Sequence, residues 1–182
     1  MDSPPSSLLL PLRALSVMQP WCWGLVKGLK PPENRTWAPP AGAFGGRVAL
    51  HASQKVDRGG LASFAAILRR PDLAGRLAGA VRLNDMPLGA LTGSARLAGA
   101  VRVEEQGGAL RAVEVRGDLS PEQVRLVLES PWSVGPWCWL FADALEVAPI
   151  PAKGALGLWR VPEELVDAFR RAEARAAERI AV

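Results

Sequence analysis

Apolar residues recur every second position in some stretches of the chain and every third or fourth in others. The changes of period lay out its elements. Ala14-Leu15-Ser16-Val17-Met18 alternates and predicts a first strand. Pro20 then stands where helices begin, and Trp21, Leu25, Val26 and Leu29 keep helical spacing until Gly28 and Pro31-Pro32 end it. Strands follow over 33–37 and 47–53. In the first, Glu33, Arg35 and Trp37 share a face; in the second, Val48 and Leu50 oppose Arg47, His51 and Ser53. Residues 61–70 form a helix stopped by Pro71. A strand takes in Ala90 to Arg102, and another spans 111–116.

Ser120-Pro121-Glu122-Gln123 has the cap, proline and acidic residue of a helix start, running to about Glu129. Trp132 to Trp139 is an aromatic cluster on a turn that feeds a strand over 140–147, and 156–161 is the last strand. Pro162-Glu163-Glu164 opens a final helix with a stripe of Leu165, Val166, Phe169, Ala172, Ala176 and Ile180. That stripe docks on the sheet or offers a surface to a protein partner. About six strands among short helices, without a glycine-rich phosphate fingerprint, predict an α+β fold around a mixed, curved or closed sheet rather than a doubly wound one.

Composition adds three constraints. At 182 residues the chain suits one domain over 13–162, with 163–182 as a packed helix and the Pro/Ser-rich residues 1–12 as a disordered leader. No run approaches the ~20 apolar residues of a membrane span, and no signal peptide is evident, which points to the cytoplasm. Cys22 and Cys138 each lie between tryptophans; with a single histidine they offer no zinc spacing, and free buried thiols are expected. No metal or cofactor is called for. Net charge is +4, and only Lys27, Lys30, Lys55 and Lys153 among the 22 basic residues are lysine. Arg76-Leu77-Ala78-Gly79-Ala80-Val81-Arg82 recurs unchanged at 96–102; one recurrence makes no repeat architecture.

The chemistry concentrates between Gln19 and Trp37, where flat indole surfaces adjoin cations and a carboxylate. That mixture suits recognition of a base or nucleotide. A turn after the first helix brings Lys30 beside Glu33 and Arg35. Lys30 can hold a phosphate or transfer a proton, and Glu33 can act as base or accept from a base edge. His51 suits proton transfer, Gln19 can address a base edge, and Trp21 and Trp137 can stack a base.

Taken together, Gln19-Pro20-Trp21, Gly28-Leu29-Lys30-Pro31-Pro32-Glu33-Asn34-Arg35 and His51-Ala52-Ser53, followed by Trp132, Gly135-Pro136, Trp139, Asp143, Pro149 to Gly154 and Leu158-Trp159, resemble the ASCH domain over about residues 14 to 162. The resemblance implies a PUA-like β-barrel linked to RNA. Some small relatives are ribonucleases. Others hydrolyse the amide of N4-acetylated cytidine with a threonine, a lysine and a glutamate. Lys30 and Arg35 match the lysine and arginine of the amidohydrolase motif, but Glu33 stands where its threonine would be, and Ser53 is a nearby hydroxyl.

The expected ligand is single-stranded RNA or a modified nucleoside. Lys30, Glu33, His51 and Ser53 are the catalytic candidates. Gln19, Trp21, Arg35, Trp37, Lys55, Gly135, Trp137 and Lys153 are the binding candidates. The expected cleft has Lys30, Glu33 and Arg35 as floor, His51, Ser53 and Lys55 as one wall, and the loop through Gly135 and Trp137 as the other.

Overall fold

The computed structural model describes residues 11–75 and 82–180. Seven strands form one sheet: β1 (Arg13–Gln19), β2 (Pro32–Arg35), β3 (Arg47–Val56), β4 (Ala90–Gln106), β5 (Ala109–Gly117), β6 (Trp137–Pro151) and β7 (Leu158–Arg160). Their order is β2-β6-β4-β3-β1-β7, with β5 paired to the far end of β4. Among the described residues only the β1–β3 pair is parallel. Register shifts interrupt the long β4–β6 ladder between Leu91 and Gly93, Ser94 and Arg96, and Leu97 and Gly99. Such bulges bend the strands that carry them, and the sheet curls into a half-barrel. The fold is α+β, with five helices among the described residues: α1 (Trp21–Val26), α2 (Leu61–Leu68), α3 (Pro71–Ala74), α4 (Pro121–Glu129) and α5 (Glu163–Ile180).

Alternation along β1 sends successive side chains to two different cores. Leu15 and Val17 join Leu50, Leu97 and Trp139 beneath α1. Ala14 faces the other way, into a layer with Ala49, Leu91, Val147 and Trp159 that α5 covers with Phe169 and Ala176. The stripe on α5 thus packs against the sheet, with Leu165, Val166 and Ala172 partly buried. Ile180 departs from it and is 69% exposed. A third cluster, Leu29, Phe64, Leu68, Leu73, Met86 and Trp132, sits under α2 and α3. No described helix is long and apolar enough to cross a membrane.

Several elements differ in extent from their expected bounds. α1 ends at Val26, because Gly28 at φ 66° turns the chain and Leu29 and Lys30 both return their N–H groups to the Gly24 carbonyl. β2 ends at Arg35, before Trp37. β6 begins at Trp137 rather than 140, since the turn is complete at Gly135-Pro136 and the tryptophans already alternate within the sheet. The hairpin between β4 and β5 turns on Gly107-Gly108, both at positive φ as a two-residue hairpin turn of this hand requires. The helix start at Ser120 is a full capping box: its hydroxyl accepts from Gln123 N–H, and Gln123 accepts from Ser120 N–H. Residues 1–10, and 76–81 of the first repeated segment, lie outside the described residues.

Candidate functional site

Two cavities flank β1, and they divide the expected cleft between them. The first, of about 510 Å³, is built on the turn from α1 into β2. Lys30 lies at its base, only 2% exposed. Its Nζ donates to Glu33 Oε2 at 2.6 Å and to the Pro32 carbonyl at 2.7 Å, and it lies 5.9 Å from the Trp21 ring centroid. An ammonium has three N–H groups, and these two bonds use two of them. Arg35 Nη2 donates to the Ser16 carbonyl at 2.7 Å. Its Nε lies 3.3 Å from Glu33 Oε1 but makes no hydrogen bond there. Glu33 is therefore held between two cations. Pairing of Glu33 with Trp139 and Arg35 with Trp137 across β2 and β6 keeps both on the cavity face.

The walls are aromatic and anchored. Trp21 Nε1 donates to Asp57 Oδ2, and Trp132 Nε1 to the Leu29 carbonyl, both at 2.9 Å. The two rings meet edge to face at 6.3 Å. Asp57 also accepts from Gly60 N–H, and the bond from Trp21, followed by that from Gly60, holds its carboxyl below the usual range. Asn34 fixes the opposite loop: its Nδ2 donates to the Trp132 carbonyl, while Oδ1 accepts from Val134 and Gly135 N–H. The charged residues of this lining are Lys30, Arg35, Glu33 and Asp57, two of each sign.

The second cavity, of about 830 Å³, is lined by His51, Ser53, Lys55, Lys153, Gly154 and their neighbours. His51 is 2% exposed and has both ring nitrogens engaged. Nε2 lies 3.0 Å from the Ala152 carbonyl, which can only accept, so that nitrogen carries the proton. Nδ1 then accepts from Ser16 Oγ at 3.2 Å, and Ser16 Oγ accepts from Trp159 Nε1 at 3.0 Å. Burial lowers the His51 pKa, with the Ala152 bond opposing it in part. Gly154 covers this relay so closely that a Cβ there would lie 2.4 Å from His51 Cε1 and 2.7 Å from Ser16 Oγ. Lys55 and Lys153 are exposed, and no ion pair to either is found among the described residues.

Of the expected site residues, Trp21, Lys30, Glu33 and Arg35 thus come together, and His51, Ser53, Lys55 and Lys153 gather separately. Ser53 directs its hydroxyl at the Lys55 backbone, 3.2 Å from both its N and O atoms. Gln19, Trp37, Gly135 and Trp137 line neither cavity. Gln19 is buried with its amide engaged at both ends, donating to the Pro87 carbonyl and accepting from Trp23 N–H in α1. Trp37 lies 4.6 Å from Trp139, edge to face, and its carbonyl accepts from Trp139 Nε1. Trp137 is in the core with Arg116 over its ring at 5.0 Å. Gly135 stands beside Val103, and Trp132 with Val134 supplies the wall expected from Gly135 and Trp137.

Ser16, Met18, Asn34, Asp57 and Trp132 are site residues beyond those expected. Asp57-Arg58-Gly59-Gly60 carried a usable signal, an acidic residue opening a glycine turn. Ser16 carried little, as one small polar residue within a strand. Both cysteines are free and buried. Burial pushes the Cys22 thiol up to about 12 and also raises that of Cys138, so neither is a nucleophile near neutral pH. Among the described residues, no three His, Cys, Asp or Glu side chains group as a metal site.

Neither a protein-family profile nor a curated protein matches the chain. Among solved structures it is similar to the crystal structure of an ASCH protein from Zymomonas mobilis, with 15% identity and a TM-score of 0.47, covering 88% of this chain and 94% of that one. Two variants of the same Zymomonas mobilis protein align at 15% identity over 89% of this chain and 98% of theirs, with TM-scores of 0.44 and 0.46.

Proposed function

We propose that the chain is an ASCH-type domain whose Trp21–Trp132 cavity takes a base of single-stranded RNA or of a modified nucleoside. The observation that carries this reading is the buried Lys30–Glu33 pair at the base of an aromatic, charge-balanced cavity. A neutral heterocycle presents donors and acceptors along one edge and a π face on each side. Glu33 supplies an acceptor, Lys30 its remaining N–H, and Trp21 a surface on which stacking contributes ~1–3 kcal/mol per base. The Gly28, Lys30, Glu33 and Arg35 positions of the ASCH-like motif converge on this cavity or on the turn that shapes it.

Substitution at the rim tests the reading without disturbing the ion pair. Ser63 is exposed and lines the mouth. Ser63→Trp is expected to fold normally and to weaken binding of a mixed-sequence single-stranded oligoribonucleotide at least tenfold, measured by fluorescence anisotropy. Undiminished binding by that variant would refute the cavity as the base site.

One observation favours added hydrolysis of an N4-acyl cytidine: Ser16 lines this cavity with its hydroxyl hydrogen-bonded to His51 Nδ1. In that reaction Ser16 Oγ attacks the acyl carbonyl and its proton passes to His51. The C–N bond breaks, the amine leaves with that proton, and water then releases the acid from the acyl-serine. Ser16 would supply the hydroxyl that Glu33 cannot. His51, covered and with both nitrogens engaged, reaches a ligand through Ser16 rather than directly. Acetate release from N4-acetylcytidine that disappears in Ser16→Ala supports this route; release that persists there removes Ser16 from it.

A further inference from the structure

The two cavities meet around a stretch of β1 edge that β7 does not reach, where Arg35 donates to the Ser16 carbonyl. β7 pairs with β1 only from Arg13 to Leu15, so on that side β1 has no strand partner from Ser16 onward among the described residues. Both cavities use Ser16 and Met18 as wall. Their charges differ. The Trp21–Trp132 cavity balances Lys30 and Arg35 with Glu33 and Asp57. The other has Lys55 and Lys153, no carboxylate in its lining, and a buried imidazole whose N–H is taken by Ala152.

We infer that the ligand bridges this edge, with its base in the Trp21–Trp132 cavity and an adjoining phosphate in the second cavity against Lys55 and Lys153. The substrate class is then a nucleotide within a single strand rather than a free nucleoside. This inference rests on the base-binding reading of the first cavity. A phosphate is disfavoured beside Lys30, because Glu33 lies 2.6 Å from that ammonium and would repel the incoming charge. Among the described residues Lys55 and Lys153 carry no such partner, and two flexible ammonium groups suit a phosphate approached as a point charge. Met18, 40% exposed on the shared wall, offers an apolar surface where the sugar would cross.

The test uses the full chain and a fluorescein-labelled, mixed-sequence heptaribonucleotide, displaced by the four nucleosides or by their 3′- and 5′-monophosphates. Monophosphates are expected to compete at least tenfold better than nucleosides. The double variant Lys55→Ala, Lys153→Ala should erase that advantage, leave nucleoside competition unchanged and flatten the log affinity–log salt slope by about 0.7 per lysine. Equal competition by nucleosides and monophosphates, or an advantage that survives the double variant, overturns the bridging inference while the base site stands. Oligonucleotide binding that survives Ser63→Trp but is lost in the double lysine variant overturns the base site and leaves a phosphate site alone. Monophosphates that match the heptamer in affinity support the phosphate site and assign it to free nucleotides instead of a strand.

Discussion

The two cavities beside β1 place charge in opposite ways. In the Trp21–Trp132 cavity the Lys30–Glu33 pair is buried, an arrangement suited to holding a ligand by hydrogen bonds at fixed points. In the Lys55–Lys153 cavity the lysines are solvated and, among the described residues, unpaired, so they attract by charge with little geometry. A buried pair contributes little net stability, yet removing one partner strands the other in a low dielectric. The charged pair of the first cavity is therefore sensitive to substitution for structural reasons, and the two lysines of the second are not. Functional tests must separate those effects.

The largest expected contrast is in stability. Glu33→Ala should cost ~3–5 kcal/mol in denaturant unfolding, since Lys30 stays buried without its counter-ion. Lys30→Met with Glu33→Leu should recover most of that loss, whereas Lys55→Ala should stay within ~0.5 kcal/mol. Near-equal losses for Glu33→Ala and Lys55→Ala would abolish the distinction between the cavities.

Gly154→Ala comes next. Its methyl group would enter the space of His51 and Ser16. An overpacked site of this kind loses ~1–3 kcal/mol. Thermal melts should show a lower midpoint for this variant, while Ala155→Gly, at an exposed neighbour, changes it far less.

The smallest effect is in pH dependence. His51 has a folded pKa below its usual 6.5, so the unfolded chain binds the proton more readily. Stability from the neutral imidazole is full above about pH 6.5 and is lost as pH falls from there toward the folded value. His51→Gln should flatten the melting temperature between pH 7 and 5; an unchanged slope would mean that His51 is not the group being titrated.

What could be anticipated from residues alone followed the range of the interactions involved. Lys30, Glu33 and Arg35 lie within six positions on a turn and a strand, so local geometry was enough to bring them together. His51 was also placed correctly on its strand. Its separation from Lys30 depends on β3 pairing with β1 and β2 pairing with β6, and these are long-range facts. Strand alternation found most of the sheet but lost the start of β6, because Trp137-Cys138-Trp139 resembles a turn cluster until Gly135-Pro136 is seen to close the turn. Gln19 misled for a related reason: an amide suited to a base edge suits the Pro87 carbonyl and the α1 backbone equally well. Ser16 became visible only when Trp159 and His51 converged on its hydroxyl.

Asn34 holds the Trp132 carbonyl and the Val134 and Gly135 amides with one side chain. The wall they form is thus held by the chain's own hydrogen bonds, and a ligand bound as proposed would not have to freeze a loop. Association should then proceed in one kinetic phase, with the ordering entropy already met during folding. Loosening that clamp with Asn34→Ala would shift the cost to the moment of encounter, so a flexible wall would be felt first as a slower approach.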